Sequence, residues 1–277
     1  MSEARSVDIL IPTRDRPTAL AVTLAGIAAQ DHPAFRVVVS DQSEPEGDGP
    51  SSTAAPEVRA VARILEARGH VVEFRRHLPR RGLAEHRQFL LDLAVAPHAL
   101  FVDDDVFLEP SLVSRLVGAI GREQCGFVGS AVVGLSHRED RRPHEQAIEF
   151  WDGPVEPEVV APGSAAWHRH RVHNAANLEH LREALPAARD RLYRVAWVGG
   201  CVLYDTEKLR AAGGFDFWER LPDEHAGEDV LAQQRVMARF GGAGLFPSGA
   251  YHLELPTTVE NRAVDAPIAL RDLVAAP

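Results

Sequence analysis

Ala99-Leu100-Phe101-Val102-Asp103-Asp104-Asp105 sets four apolar residues directly before three aspartates. The apolar run is a short strand, and the carboxylates lie at its carboxyl end. Open parallel sheets bind ligands at that edge. Three adjacent carboxylates repel one another, and a divalent cation such as Mg²⁺ or Mn²⁺ relieves the repulsion while bridging to a substrate's phosphates. In an extended chain Asp103 and Asp105 point the same way. On these residues alone a solvated acidic turn, or a helix cap ahead of Pro110, is an equal alternative.

Upstream of this run, strands and helices alternate. Val7–Ile11 is apolar up to Pro12 and predicts a buried strand. Residues 17–30 carry Leu20, Leu24 and Ile27 at helical spacing, with Pro17 suited to a first turn. Residues 35–40 predict a second strand, ending at Asp41. Residues 44–56 are polar and turn-forming, which predicts a mobile loop. Helices at 57–68 and 83–94 flank a strand at 70–75. The first 120 residues therefore predict a parallel sheet with helices on both faces.

The second half is less periodic. Residues 125–133 and 194–204 predict strands, 228–239 a helix, and 244–255 short strands. Residues 136–190 show no clear period. With no linker and no internal repeat, one domain is expected over 1–277, its first 110 or so residues forming a nucleotide-type half and the rest a more variable half.

The chain has 277 residues, 30 basic and 40 acidic, for a net charge of −10. That balance disfavours a nucleic-acid partner. Lys208 is the only lysine, a bias that points to no particular site. No apolar run reaches the length of a membrane span, and the N-terminus lacks the succession of a signal peptide. Cys125 and Cys201 sit in apolar runs, as buried thiols of a cytoplasmic protein would. The phosphate loop, the dinucleotide glycine fingerprint, the nucleophile elbow and the common zinc signatures are all missing. His168, His170 and His173 are not a standard metal set, and a loop is expected there. The Trp151-Asp152-Gly153-Pro154 stretch suggests a lid.

Five elements, in order, resemble family 2 glycosyltransferases. They are Ile9–Pro17 (ILIPTRDRP), Val37–Ser43 (VVVSDQS), Gly82–Arg87 (GLAEHR), Val102–Pro110 (VDDDVFLEP, with Asp103 and Asp105 as the D-x-D pair), and Gly213–Asp216 (GGFD) followed by Glu228–Arg235 (EDVLAQQR). Arg14, Asp15, Gln88 and Val106 depart from the usual residues, and the turn after Asp41 is shorter than in many members.

The resemblance implies a GT-A fold, a Rossmann-like mixed sheet flanked by helices. It implies a metal-dependent, inverting transfer of sugar from a nucleoside diphosphate (UDP, GDP or dTDP type) to an acceptor. Asp105 would bind Mn²⁺ or Mg²⁺ directly. Asp103 would touch ribose or metal, with Asp104 also on the donor side. His252 would be a further ligand, or else a histidine at the edge of the core. Pro12, Thr13 and Arg16 would hold the nucleoside, Arg87 the diphosphate, and Asp41 the base. For the two arginines a plain surface position is the alternative, and for Asp41 a strand-end turn.

Asp229 would be the general base, with Glu228 facing elsewhere to orient its neighbours; both also suit a helix N-terminus. Trp197, Gly199 and Gly200 would meet the acceptor, although a packed tryptophan is equally expected. A sugar nucleotidyltransferase and a non-catalytic nucleotide-sugar or glycan-binding module are the alternatives. The first is disfavoured because Pro12-Thr13-Arg14-Asp15 contains no glycine.

Overall fold

The computed structural model describes residues 6–44, 51–185, 189–259 and 261–274. The first half contributes β1 (Val7–Thr13), α1 (Pro17–Ala28), β2 (Phe35–Asp41), α2 (Pro56–Ala67), β3 (Val71–Arg76), α3 (Leu83–Leu93) and β4 (His98–Val102). There follow β5 (Val106–Leu108), α4 (Leu112–Glu123), β6 (Phe127–Gly129), β7 (Val132–Val133), α5 (Asn177–Ala184) and β8 (Arg191–Tyr193). The last part holds β9 (Cys201–Asp205), α6 (Thr206–Ala211), α7 (Glu228–Phe240), β10 (Gly242–Phe246), β11 (Ala250–His252) and α8 (Ala266–Ala269).

One eight-stranded sheet runs through the chain in the order β3-β2-β1-β4-β9-β6-β10-β8. The first four strands are parallel. β9 then enters antiparallel to both β4 and β6. The sheet is thus mixed, and its parallel part is the part that strand–helix alternation marks. A small sheet, β5-β11-β7, sits beside it.

The apolar strands fill two cores. Ile9, Ile11, Val37, Val39, Leu100 and Val102 pack with Leu20, Leu24 and Ile27 of α1 and Leu65 of α2. Their chain neighbours Leu10, Val38, Ala99 and Phe101 turn the other way, among Leu90 of α3 and Leu231 of α7. Alternate residues thus reach opposite faces, which is why these strands read as unbroken apolar runs. Asp8 is an exception. Its carboxylate is 2% exposed and accepts from Arg36 Nε at 2.8 Å and from the backbone of Val95 and Ala96.

Three expectations change. Residues 194–204 are not one strand. β9 starts only at Cys201, because Gly200 takes a left-handed turn (φ +76°) just before it. Of the expected loop at 44–56, residues 45–50 lie outside the described residues. Residues 52–54 form a 3₁₀ turn in which Ser52 and Thr53 are buried. Trp151 forms no lid over the site. Its backbone N–H bonds Leu192, and Arg194 stacks on its ring at 3.6 Å. Among the described residues no helix is long and apolar enough to cross a membrane.

Candidate active site

Sheet order reverses at β1, whose partners β2 and β4 lead away on either side. Crevices form at such switch points. Here the carboxyl ends of β1 and β4 deliver Pro12–Arg16 and Asp103–Asp105 to one wall of a cavity of about 700 Å³. His252 from β11, Thr257, Thr258, Asn261 and Arg262 line the same cavity.

The aspartates occupy a turn rather than an extended segment, so they do not alternate. Asp104 and Asp105 share Arg16, whose Nη1 donates to them at 3.2 Å and 2.8 Å. Thr13 Oγ1 donates to Asp104 at 2.7 Å. Asp103 instead accepts from Arg87 Nη2 at 2.8 Å. Burial pushes the Asp104 carboxyl up to about 6 despite the Thr13 hydrogen bond and the Arg16 charge. Burial raises Asp105 as well, opposed by His252.

Asp105 Oδ2 and His252 Nε2 are 3.5 Å apart. Two ligands each about 2.1 Å from one small cation stand roughly 3–3.5 Å apart. The pair therefore fits a two-donor site that a substrate's phosphates would complete. No cluster of three or more His, Cys, Asp or Glu side chains is placed as a metal site among the described residues. Arg16 shares Asp105 Oδ2, so a cation there competes with it.

Arg87 is not a free diphosphate clamp. It is 6% exposed, and its guanidinium bridges Asp103 and, through Nε at 2.9 Å, Glu228. Position 87 is fixed by the start of α3. Gly82 there has φ +88°, and a Cβ on it would lie 2.5 Å from His225 Cε1. His225 Nε2 in turn accepts from the Ala84 backbone N–H at 3.1 Å.

Glu228 and Asp229 begin α7 and diverge, as expected of neighbours on a helix. Glu228 is buried against Arg87. Asp229 lines a cleft of about 10 Å³ together with Arg87, Asp103, Gly200 and Gln233. Burial, with Glu228 close by, pushes the Asp229 carboxyl up to about 7, against the pull of Arg87. The cleft and the large cavity share Arg87 and Asp103.

Asp41 does not reach the cavity wall. It is 1% exposed, and its carboxylate accepts from Ser43 N at 2.8 Å, Thr53 N at 2.9 Å and Thr53 Oγ1 at 2.8 Å. Burial alone would raise this carboxyl, but those hydrogen bonds outweigh it and hold it below its ordinary value. Gln42, one residue on, does line the cavity. Of the expected acceptor contacts only Gly200 meets Asp229 in its cleft. Trp197 packs edge-on to His173, with centroids 6.1 Å apart. His173 itself bonds the Tyr193 hydroxyl at 2.9 Å.

Sequence reasoning missed Arg14, Gln42, Arg80, His225 and, near the C-terminus, residues 255–259 and 261–262. Arg14 donates to the Thr258 carbonyl at 2.6 Å, and Arg16 to that of Pro256. These bonds tie residues 256–258 to the turn that follows β1. Arg14 and Gln42 stood beside recognisable motifs, whereas nothing in residues 255–259 or 261–262 signals their place.

The model of glycosyl transferase family 2 matches residues 8–183. The chain belongs to that family, and its mixed sheet with flanking helices is the GT-A fold. Among solved structures it is similar to a mannosyltransferase, PcManGT from Pyrobaculum calidifontis, in complex with GDP-Man and Mn²⁺. That match has 16% identity and a TM-score of 0.58, over 93% of this chain and 59% of that one. It is also similar to S. aureus TarS 1–349, with 14% identity, TM-score 0.56, and coverage of 97% and 63%. The same protein in complex with UDP matches at 15% identity and TM-score 0.53, covering 89% and 60%. The chain thus spans less than two thirds of the solved chains it matches. No curated protein matches it in sequence.

Proposed function

We propose that the chain transfers a sugar, with inversion, from a nucleoside-diphosphate sugar to an acceptor hydroxyl. The observation that carries this reading is the bridge made by Arg87 between Asp103, on the cavity wall, and Glu228, next to Asp229. It sets a carboxylate with a raised pKa beside a cavity that already holds Thr13, Arg16 and Asp105. The related structures hold UDP, UDP-GlcNAc or GDP-Man, the last with Mn²⁺.

The donor half, to about residue 110, binds the nucleotide. Thr13 and Arg16 hold the donor beside the aspartates. Asp105 and His252 are the chain's two ligands for Mn²⁺ or Mg²⁺, which when bound neutralises charge on the departing diphosphate. The acceptor half brings Asp229. Its carboxylate takes the proton of the acceptor hydroxyl as that oxygen bonds the anomeric carbon. The bond from that carbon to the diphosphate oxygen breaks, and the nucleotide leaves with the electron pair. A carboxylate with a pKa near 7 suits this work, because about half of it is ionised at neutral pH and it is basic enough to accept a proton. Arg87 keeps its charge and holds Asp103 and Glu228 apart from the reaction. The free, buried Cys125 and Cys201 support a cytoplasmic setting.

The test is turnover of UDP-, GDP- and dTDP-sugars with Mn²⁺, with and without chelator, by the wild type and by Asp229→Asn. The variant should lose hydrolysis and transfer, by about a hundredfold or more, and still bind nucleotide. Full activity in the variant removes Asp229 from the mechanism. Pyrophosphate release from a nucleoside triphosphate would instead mark a nucleotidyltransferase.

A further inference from the structure

We infer that Gln233 is a positioning residue for the transfer: it fastens the loop 198–200 to α7 and so holds the aspartate turn at a set distance from Asp229. The inference rests on the reading of Asp229 as the base and adds a residue that acts through it. Gln233 lies one helical turn beyond Asp229, on the same face of α7. Both side chains line the small cleft, together with Asp103 and Gly200.

Gln233 is fully buried. Its Oε1 accepts from the Val198 backbone N–H at 2.8 Å, and its Nε2 donates to the Val198 carbonyl at 2.7 Å. One side chain thus takes up both backbone groups of a residue that belongs to no strand. Buried backbone groups need such partners, and an amide carries donor and acceptor in one plane.

The loop is held elsewhere as well. The Val198 side chain presses on β6, where a Cβ at Gly129 would lie 2.7 Å from Val198 Cγ1. The Gly200 carbonyl accepts from the backbone N–H of Asp103 at 3.0 Å. A chain of short links therefore runs from α7 through Gln233, Val198 and Gly200 to Asp103. Arg87 joins the same two parts by charge, through Glu228. Gln233 joins them without charge, one turn from Asp229. Releasing Val198 frees the aspartate turn to shift against the base, and a misplacement of about 1 Å can cost about a hundredfold in rate.

The experiment measures hydrolysis, in Mn²⁺, of the UDP-, GDP- or dTDP-sugar that wild type turns over, by Gln233→Met and Gln233→Asn. The first removes both bonds at similar volume. The second keeps the amide but is one methylene short. Gln30→Met is the control. Gln30 is also buried and also bonds backbone groups through both ends of its amide, at Gly26, Glu109 and Val113, but it lines neither the cavity nor the cleft. Both Gln233 variants should lose about tenfold to a hundredfold in kcat, with donor KM and calorimetric affinity for UDP or GDP within about twofold of wild type. Gln30→Met should melt at a lower temperature than wild type and keep its kcat. A folded Gln233→Met with wild-type kcat overturns the inference and leaves the reading of the site intact. So does an equal loss of kcat in Gln30→Met, which would mark lost stability alone. If Gln233→Met does not fold, Gln233→Asn decides by the same measure, and failure of both to fold makes Gln233 a purely structural residue. Full activity in Asp229→Asn, or a wild type that turns over no donor, overturns the reading of the site and the inference with it.

Discussion

Arg87 Nε donates to Glu228 Oε1 at 2.9 Å across 141 positions of sequence, and both side chains are buried. The bond joins α3, which lines the large cavity, to the first residue of α7. It is therefore a contact between the two parts of the site. Replacing Arg87 by Met leaves Glu228 buried with no counter-charge, and the expected loss of stability is about 3–5 kcal/mol. Urea titration measures it. Arg87→Lys restores a charge but not a fork that can reach both carboxylates, so it should recover only part of the loss. A Met variant as stable as wild type would show the bridge to be dispensable.

As the proposed base, Asp229 would link activity to pH. Its carboxyl is pushed up to about 7 by burial and by Glu228. As a base it works only when ionised, so kcat/KM should rise with pH through about 7 and then level. A limb near the ordinary carboxylate range would contradict the assignment.

The same shift has a signature in stability. An acid whose pKa is higher in the folded chain than in the unfolded one holds its proton better when folded. Stability from Asp229 therefore declines as pH rises from 3.8 toward 7, and is level above that. Asp229→Asn removes this decline. Its melting temperature relative to wild type should be higher at pH 8 than at pH 5, as differential scanning calorimetry would record.

At the proposed metal site, a divalent cation would compete with Arg16 for Asp105 Oδ2, where the guanidinium sits at 2.8 Å. Arg16→Ala should therefore bind Mn²⁺ more tightly than wild type when no nucleotide is present. His252→Ala should bind it at least roughly tenfold more weakly, the scale of losing even a supporting partner of a metal ligand. Manganese electron paramagnetic resonance reads both affinities without turnover. Unchanged affinity in His252→Ala would remove that histidine from the ligand set.

Gly82→Ala tests how α3 is held. The backbone there has φ +88°, and a Cβ would meet His225 Cε1 at 2.5 Å and the Asp223 carbonyl at 2.7 Å. The conformation alone costs about 1–3 kcal/mol for a non-glycine residue, and the contact with a backbone carbonyl adds to it. A thermal melt should show the loss.

The parallel half of the fold was legible because β1, β2 and β4 are buried on both faces and α2 carries one apolar stripe. Pro17 and Gly82 mark the starts of α1 and α3. The metal and base candidates were legible as local motifs, and Asp105, His252 and Arg16 do come together. What periodicity could not show was which partner each charge finds. Arg87 has the same local sequence whether it faces a phosphate or Glu228, and only the docking of α7 decides. Asp41 is spent on Thr53 because the 3₁₀ turn at 52–54 folds back over it, and its polar sequence looked like a loop. The late strands are three to five residues long, too short for alternation to identify.

The position of β9 in the sheet bears on how the chain is made. His98–Val102 pairs on one side with β1 and on the other with residues 201–205. A growing chain can complete the first pairing long before the second, since synthesis adds about 5–20 residues per second. For several seconds at least, β4 is an apolar strand with an open edge. An open edge of that kind is a template for pairing with another chain. The segment that ends in the aspartates of the cavity wall is thus also an edge of the newborn protein that needs shielding until residues 201–205 are made.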